Sequence, residues 1–311
     1  MKKSNHKVIA HILAFFTAIL WGTTFVSTKI LLKEFTPITI LFVRFVIAYV
    51  ALWIVHPKRY RLKGFKEEFW LFFEGIFGVS LYFFCENVAL LNTFASNVGV
   101  IVSTAPMFTA IIASVFLKEE RPNKYFYIGF ICSIVGIACI SFQGQQKFQI
   151  NPVGDLLAVF AGICWAIYSV VMKKHVDLKT DMLGATRRII FYAIVTMIPF
   201  CFLTDYHLEM ESLLKPVMLA NLLYLGILAS ALCYLIWNYA VEHLGAVTSS
   251  IYIYIVPVIT IVTSILVLKE PFTLLIGFGA GLTIAGLFIS GKKDSKKMLT
   301  DGEQRDTLPK Y

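Results

Sequence analysis

The feature that most constrains this chain is a series of ten long apolar runs separated by short polar or proline-containing breaks. Each run has roughly the 20 residues that an α-helix needs to cross a hydrocarbon core of about 30 Å. Backbone polar groups in lipid must be hydrogen-bonded within the protein, and an α-helix does this within one segment. The sequence therefore predicts an all-α integral membrane protein with ten transmembrane helices, near residues 8–32, 37–55, 69–91, 96–117, 124–142, 153–173, 183–204, 217–240, 246–268 and 272–291.

The composition excludes an ordinary soluble protein. Hydrophobic residues make up 58% of the 311 residues and charged residues only 15%, whereas typical globular chains have about 45–50% and about 25%. The first run, from Val8 to Leu32, is too long for the apolar region of a signal peptide, and no small-residue cleavage site follows it. We therefore expect a retained first membrane helix.

The positive charges are distributed unevenly between the connections. With a cytoplasmic N-terminus, 20 of the 28 Lys and Arg residues lie in inner segments, 4 lie in outer connections and the rest lie within helices. Because cationic loops stay on the cytoplasmic side, both termini are predicted to be cytoplasmic in an inner or plasma membrane, with 292–311 as a polar cytoplasmic tail. The net charge of +9 is then explained by orientation and by anionic lipid, so no nucleic-acid partner is expected.

No cofactor or metal is predicted, because the six cysteines lie in apolar runs without CxxC or Cys–His spacing. The six histidines are scattered, and the sequence has no P-loop, HExxH or GxSxG motif. We therefore predict that the protein is not an enzyme, and a membrane-bound enzyme remains an alternative. A channel or receptor is the other alternative, although no run resembles a selectivity filter.

The two halves of the chain repeat each other. Because each half has five predicted helices, the second copy enters the membrane from the opposite side, so the repeats, residues 1–142 and 153–291, are predicted to be inverted. Inverted repeats are typical of secondary transporters with a substrate site between the repeats. The matched pairs are Trp21 with Trp165, Thr24 with Tyr168 and Arg44 with Arg188 at an offset of 144 residues, and Asn87 with Asn238 and Pro106 with Pro257 at an offset of 151.

These residues resemble a known family. The motif residues are Trp21-Gly22-x-x-Phe25, Trp165, Arg44, Ala105-Pro106, Pro257 and the Leu-Lys-Glu helix ends at 117–119 and 268–270. In order and spacing they are similar to the EamA branch of the drug/metabolite transporter superfamily over about residues 8–291. The resemblance implies a basket in which helices one to four and six to nine surround a central cavity, with helices five and ten outside. It also implies a transporter of amino acids, nucleotide-related metabolites or drugs, often directed outward.

Charged groups inside membrane segments are costly and are therefore candidates for a transport pathway. Arg44 lies about seven residues after Pro37, roughly 10 Å along its helix, and its repeat mate Arg188 approaches from the other side. The two guanidinium groups are predicted to bind a carboxylate or phosphate in turn. The alternative is that each extends to its own interface, as we expect for Arg187.

Glu86 is the deep carboxylate with the best case for function, and Tyr82 lies one turn earlier on the same helix face. Glu86 is predicted to carry a coupling proton or to pair with Arg44. The alternative is a wetted position near the outer helix end, five residues before Leu91.

Polar and aromatic residues complete the predicted site. Asn87 and Asn238 are expected to form interhelical hydrogen bonds or to contact substrate, while Trp237 and Tyr239 are expected to be interfacial anchors. The deep Trp21 and Trp165 are predicted to line an amphipathic cavity or to pack in the core. The predicted substrate-binding and translocation residues are Trp21, Thr24, Arg44, Tyr82, Glu86, Asn87, Trp165, Tyr168, Arg188, Tyr234 and Asn238.

Two groups of small or rigid residues are predicted to shape the helices. Pro106 and Pro257 are expected to kink helices four and nine, either as gates or as passive bends. Gly277 and Gly281 form a small-xxx-small pattern that favours close helix contacts or a homodimer. Together the sequence predicts an alternating-access carrier that exports small metabolites, either amino-acid-like or amphipathic, and the excess of intramembrane Arg over Glu favours a substrate with an anionic group.

Overall fold

A computed structural model describes residues 2–61, 64–92, 98, 101–117, 122–141, 152–175, 178–268 and 274–292. All regular elements of these residues are helical, and none of the described residues forms a strand. The helices are α1 (Lys2–Leu31), α2 (Pro37–Val55), α3 (Phe65–Gly75), α4 (Tyr82–Asn92), α5 (Ala105–Phe116), α6 (Lys124–Ser141), α7 (Pro152–His175), α8 (Leu178–Leu203), α9 (Met210–Leu214), α10 (Pro216–Leu223), α11 (Cys233–Leu244), α12 (Ala246–Ser250), α13 (Ile255–Leu268) and α14 (Leu274–Ser290).

Three distorted helical stretches join consecutive helices without an intervening loop. The π-helical stretch Ile76–Leu81 joins α3 to α4, and a second π-helical stretch, Tyr224–Leu232, joins α10 to α11. A 3₁₀ stretch, Ile251–Tyr254, joins α12 to α13. Such distortions inside long helices are frequent at functional sites.

The described part of the chain is a multi-pass membrane protein. Seven helical spans are long and apolar enough to cross a bilayer, and three shorter apolar helices accompany them. The tail after residue 292 and the Lys-Glu pairs at 118–119 and 269–270 lie outside the described residues. The seven long spans are Asn5–Leu31, Pro37–Val55, Phe65–Ala89, Pro152–Lys174, Asp181–Leu203, Pro216–Leu244 and Ala246–Val267, and the shorter helices are Ala105–Phe116, Lys124–Cys139 and Gly277–Ser290.

Local sequence signals explain several helix ends. Thr36 caps α2, because its side chain accepts a hydrogen bond from the Thr39 backbone N–H at 3.4 Å, and Pro37 occupies the first helical turn. Gly245 has φ +90° and connects α11 to α12 in a single residue, a conformation that favours glycine. The third helical run begins earlier than the predicted residue 69, at Phe65, because two acidic residues in its first turn favour a helix N-terminus.

The helical run that contains Pro106 is interrupted just before the proline, where a proline kink is expected. Ser103 and Thr104 form a turn, and α5 begins at Ala105, so Pro106 occupies the first helical turn. Backbone N–H groups in the first turn of a helix have no acceptor within the helix, so a proline at this position costs no hydrogen bond of α5. Pro257 is the third residue of α13, and the 3₁₀ stretch lies in the turn before it, where a proline removes a backbone hydrogen bond.

The glycines of the fifth and tenth predicted helices pack against each other within one chain. A Cβ on Gly129 would collide with the Gly286 carbonyl, and a Cβ on Gly136 would collide with the Gly279 carbonyl. This close approach between α6 and α14 uses much of the small-residue surface. Gly281 has nothing within 4 Å of an added Cβ, so a homodimer through that face stays a prediction.

Two further glycines pack the halves of the chain together in a reciprocal way. Gly75 of α3 lies against the backbone of α8, where an added Cβ would come within 2.7 Å of the Ile189 carbonyl. Gly226, 151 residues later, lies against α2, where an added Cβ would come within 3.0 Å of the Arg44 carbonyl. Each half therefore inserts its third helical run against the second helix of the other half.

Candidate functional site

A cavity of about 930 Å³ lies between the helices. Its lining comes from α1, α2, α4, α7, α11 and α13, from residues just before α5, and from Ile137 of α6. The cavity reaches the α1–α2 connection, where the lining residues Lys29 and Leu32 are exposed. We call this the open side, and we call the opposite side, where α2 ends and α8 begins, the sealed side.

Most of the predicted site residues line this cavity. Four predicted residues do not: Tyr168, Arg188, Asn238 and Pro106. The predicted residues that line it are Trp21, Thr24, Arg44, Tyr82, Glu86, Asn87, Trp165, Tyr234 and Pro257.

Arg44 is the deep cation of the cavity. Its side chain is only 6% exposed, and its Nε donates a hydrogen bond to Ser230 Oγ at 3.0 Å. The guanidinium carbon lies 5.1 Å from the ring centre of Phe45 and 4.9 Å from that of Phe83, close enough for cation–π attraction. The other guanidinium N–H groups have no acceptor among the described residues, so Arg44 keeps donors for an anion in the cavity.

Glu86 lies in the same cavity and is 9% exposed, so it lies within the bundle and not at a wetted helix end. The Tyr82 hydroxyl donates to Glu86 Oε1 at 3.3 Å, which is long for an O–H···O hydrogen bond. Among the described residues Glu86 forms no ion pair, so the predicted pairing with Arg44 is not formed. The cavity therefore holds a guanidinium group and a carboxyl group that are not paired with each other directly.

Six aromatic side chains form a layer across the deep end of the cavity, which we call the aromatic floor. The Trp21 ring centre lies 5.2 Å from that of Trp165 and 5.1 Å from that of Trp237, and Trp165 lies 5.4 Å from Tyr82. Trp237 is fully buried, so the prediction that it anchors at the interface is wrong. The aromatic floor consists of Trp21, Tyr82, Trp165, Tyr168, Tyr234 and Trp237.

Beneath the floor a buried chain of hydrogen bonds holds two predicted site residues away from the cavity. The Tyr168 hydroxyl donates to Asn238 Oδ1 at 2.6 Å, and Asn238 Nδ2 donates to Thr186 Oγ1 at 3.0 Å. All three side chains are fully buried, so they join helices and do not line the cavity. Their surroundings differ from those of the repeat mates Thr24 and Asn87, which line the cavity.

Arg188 contributes to the sealed side. Its Nε and Nη2 donate to Glu68 Oε1 at 2.9 and 2.5 Å, so its guanidinium binds a carboxylate of the chain itself. His56 lies 3.2 Å from Asp181 in a second contact between the two halves. Arg187 donates to the His56 and Lys58 carbonyls. In this state Arg44 lines the cavity and Arg188 does not, and binding of a substrate by the two guanidinium groups in turn stays a prediction.

The rim of the open side has its own ion pair outside the membrane spans. Lys215 Nζ donates to Glu34 Oε1 at 2.8 Å, and Ser212 Oγ donates to Glu34 Oε2 at 2.8 Å. These hydrogen bonds lower the pKa of Glu34, and the carboxylate raises the pKa of Lys215. The pair joins the α1–α2 connection to the segment before α10.

Sequence reasoning missed three residues of this region. Ser230 binds Arg44 but lies in an apolar run without a signal of its own. Trp237 was assigned to the interface because it lies near a predicted helix end. Glu74 lies five residues inside the predicted run 69–91, so the rule for intramembrane charges, applied to every carboxylate, would have found it.

Comparison with known proteins identifies relatives of the whole chain. The model of the EamA-like transporter family matches twice, over residues 8–142 and 152–291. An uncharacterized transporter of Archaeoglobus fulgidus is 29% identical over 287 residues, covering 91% of this chain and 97% of that protein. The uncharacterized transporter YdfC of Bacillus subtilis is 25% identical over 278 residues, covering 89% of each chain.

A solved structure has the same fold. It aligns with a TM-score of 0.74 at 17% sequence identity and covers 92% of this chain and 96% of its own. The two family matches together span nearly the whole chain and include both sides of the cavity. The chain therefore belongs to the EamA-like transporter family and is a membrane transporter by the names of its relatives.

Proposed function

We propose that this protein is an alternating-access carrier of small amphipathic metabolites that bear a carboxylate, such as amino-acid-like compounds, and that it exports them across a cell membrane. In this proposal ten helices cross the membrane as two inverted five-helix repeats, with both termini in the cytoplasm. The open side of the cavity then faces outward. Family membership and the apolar spans support the transporter part of this proposal.

The observation that carries the proposal is the unequal environment of the repeat mates Arg44 and Arg188. Arg44 lines a cavity that is open to one side, while Arg188 binds Glu68 on the sealed side. Asn87 and Asn238 differ in the same way, one in the cavity and one buried. Two similar halves in different conformations are what a carrier needs if exchange of these conformations moves the opening to the other side.

The reciprocal packing of the two halves supports an inverted repeat. Gly75 and Gly226 each pack against the second helix of the other half. The π-helical stretches Ile76–Leu81 and Tyr224–Leu232 fall in the third helical run of their halves. The family model also matches each half separately. An odd number of crossings in each half relates the halves by an axis in the membrane plane.

The lining of the cavity favours a zwitterionic or anionic amphipathic substrate. Arg44 offers free guanidinium donors for a carboxylate. Glu86 offers an acceptor for an ammonium group, and Trp21 and Trp165 offer apolar surface. Lys29 at the open end adds a positive charge that attracts anions.

Transport by the purified protein in proteoliposomes tests the proposal. The vesicles are preloaded with a mixed pool of amino acids, nucleosides and phosphorylated metabolites, and loss of each compound is followed by mass spectrometry with and without a pH gradient. We expect selective, saturable loss of a carboxylate-bearing compound. Empty vesicles and vesicles with the Arg44→Ala variant are the controls.

Three outcomes contradict the proposal. Flux that does not saturate with substrate concentration indicates a channel. Chemical turnover of a compound without its movement indicates an enzyme. Selective loss of neutral, apolar compounds alone contradicts the assignment of Arg44 as the substrate anchor.

A further inference from the structure

Glu74 is a buried carboxylate that the cavity does not use. It lies in the last turn of α3, is fully buried, and neither of its carboxyl oxygens has a hydrogen-bond partner among the described residues. It does not line the cavity. One helical turn later, Gly78 packs against the ring of Tyr168 in the aromatic floor, so Glu74 lies in the sealed half of the bundle.

In the part of the chain that the structure describes, the helices around Glu74 provide no counter-ion. Its neighbour Gly75 lies against the α8 backbone at Ile189 and Ala193, and Tyr168 of α7 donates its hydroxyl to Asn238. Asp155 lies in the first turn of α7, about 20 Å along the helix from Tyr168, and the other charged side chains described on the packed helices contact another group. On α7, Lys173 binds Glu242 and Lys174 lies over Phe116, and on α8 Asp181 binds His56, Arg187 binds two carbonyls and Arg188 binds Glu68.

The other titratable groups nearby are also accounted for. Tyr234 of α11 donates its hydroxyl to the Gly78 carbonyl. Tyr192 of α8 packs under the Arg188 guanidinium. On α3 itself, Glu67 accepts a hydrogen bond from Tyr60, and Glu68 is the partner of Arg188. No described group therefore compensates a negative charge on Glu74.

Packing alone does not require a carboxyl group at this position. The offset of 151 residues that relates Gly75 to Gly226 relates Glu74 to Leu225, which is also fully buried. An apolar side chain therefore occupies the corresponding place in the second half. Of these two matched residues, only Glu74 has an ionisable side chain, and it lies in the sealed half of the bundle.

The surroundings determine the charge of Glu74 in this state. A carboxylate buried without partners is strongly disfavoured and takes up a proton instead. Glu68, six residues earlier, lies about 9 Å along the helix towards the sealed surface. If the sealed side opens, the contact between Glu68 and Arg188 breaks, water enters, and the Arg188 guanidinium is released. Both changes favour the ionised carboxylate.

We propose that Glu74 is a proton-binding site that couples protonation to alternation. It holds a proton while the sealed side is closed and releases the proton to water on that side when it opens. The carboxyl O–H bond breaks, the proton goes to water, and the carboxylate keeps the electron pair. This proposal rests on the alternating-access function proposed above.

The coupling has a definite sign. Because the sealed state binds one proton more than the state open on that side, raising the pH favours opening of the sealed side. A single proton changes the ratio of the two states by at most about tenfold per pH unit. Replacing Glu74 by an uncharged residue removes this dependence and favours the sealed state.

Cysteine labelling measures the two states without requiring a substrate. Single cysteines are placed in a background without native cysteines, at Thr28, which lines the cavity, and at Ala185, which is fully buried on the sealed side. A membrane-impermeant maleimide is applied to the protein in detergent over a series of pH values from about pH 6 to about pH 9, because a one-proton equilibrium changes the labelling gradually with pH. At each pH the labelling of a variant is divided by the labelling of the same variant after unfolding, which corrects for the effect of pH on thiol reactivity.

We expect labelling at Ala185→Cys to rise and labelling at Thr28→Cys to fall as the pH increases. Glu74→Gln should keep high Thr28→Cys and low Ala185→Cys labelling at every pH. Glu74→Leu introduces the residue found at the matching position, Leu225, and should behave in the same way. It provides a second test if Glu74→Gln does not fold. His56→Gln is the control: its baseline labelling differs because it removes a contact of the seal, but it should retain the pH response because Glu74 is intact.

The outcomes separate this proposal from the proposed function. If Ala185→Cys is never labelled at any pH or with any substrate, alternating access itself is contradicted. If both sites alternate but Glu74→Gln keeps the pH response, Glu74 is not the proton site. If His56→Gln abolishes the pH dependence of labelling although Glu74 is intact, the proposal is also overturned. The proton then belongs to the pair of His56 and Asp181.

Discussion

Arg44 has one described hydrogen-bond partner, Ser230, and the rings of Phe45 and Phe83 hold its guanidinium in place. This arrangement fixes the orientation of the side chain while most of its donors remain available. An arginine that only extended to the membrane interface would not need such a fixed position. Substrate affinity should therefore depend on the guanidinium group itself.

Arg44→Ala should raise the KM for carboxylate-bearing substrates by about tenfold to a hundredfold, because a hydrogen bond to a charged group contributes about 1.5–3 kcal/mol. The KM for a neutral analogue should change less. Arg44→Lys should recover part of the loss, since it keeps the charge but not the planar donor geometry. Initial rates in proteoliposomes measure these values, and an equal change for both substrates would contradict the assigned role.

The pair of Glu34 and Lys215 makes a prediction about pH at the rim of the open side. The pKa of Glu34 is lowered by the hydrogen bonds from Lys215 and Ser212. A carboxylate with a lowered pKa stabilises the folded state above its ordinary pKa, and this contribution is lost as the pH falls through the lowered value. The effect should be small, because exposed ion pairs are screened by solvent.

The melting temperature in detergent, measured from neutral to acidic pH, tests this expectation. The wild-type protein should lose slightly more stability on acidification than Glu34→Gln. Lys215→Ala should reduce that difference, because it removes the main cause of the lowered pKa. A Lys215→Ala profile identical to that of the wild type would show that the pair does not contribute.

The third helical run of each half joins the two halves through a glycine. At Gly75 a Cβ would lie 2.7 Å from the Ile189 carbonyl and 2.9 Å from the Ala193 backbone nitrogen. Neither backbone atom can rotate away as a side-chain end can. The contact between α3 and α8 therefore depends on the absence of a side chain at this position.

Gly75→Ala should lower stability by about 1–3 kcal/mol, the usual cost of overpacking a close contact. Gly281→Ala is the matched control, because nothing lies within 4 Å of its added Cβ, and its stability should change by no more than about 0.5 kcal/mol. Thermal unfolding in detergent compares the variants. Equal melting temperatures for Gly75→Ala and the wild type would contradict the described packing.

The two halves of the molecule are sealed together on one side by charged groups from both. Glu68 and His56 of the first half bind Arg188 and Asp181 of the second half. Opening of the sealed side must break these contacts, whereas the cavity side can stay open without them. The proposed conformational equilibrium should therefore respond to this pair.

Glu68→Gln should shift the equilibrium towards the state open on the sealed side by about tenfold, because a charge-assisted hydrogen bond contributes about 1.5 kcal/mol. Maleimide labelling of Ala185→Cys reports this shift. The exchanged pair Glu68→Arg with Arg188→Glu should restore low labelling. If the single and exchanged variants label alike, the ion pair does not hold the seal.

Much of the site could be predicted because lipid penalises misplaced polarity. Arg44 and Glu86 had to face the bundle interior, since an exposed charge in the hydrocarbon core is costly, and both line the cavity. Arg188 and Asn238 could not be placed in the same way. Matched sequence positions predict matched roles, but Arg44 and Asn87 line the cavity while Arg188 and Asn238 do not.

Helix ends and helix distortions were harder to predict from the sequence than the apolar runs that contain them. Pro106 has the same local effect on the chain whether it kinks a helix or starts one. The turn at Ser103 and Thr104 shows that the helical run is interrupted before this proline and starts again as α5. The π-helical stretches have no residue signature in the apolar runs that contain them.

The sequence by itself determined that this protein is a helical membrane protein of the EamA-like transporter family, because apolar run length, intramembrane charges and the repeated motifs are properties of the chain alone. The tertiary structure decided that Thr24, Arg44 and Asn87 line the cavity while their repeat mates do not, and that Trp21 and Trp165 both line it. It also decided that Glu86 lines the cavity while Glu74, on the same helical run, lies buried without a partner. The physical reason is that solvent access and counter-ions depend on how the two halves pack. Matched positions in the sequence do not show which of them will be open to solvent or close to a counter-ion.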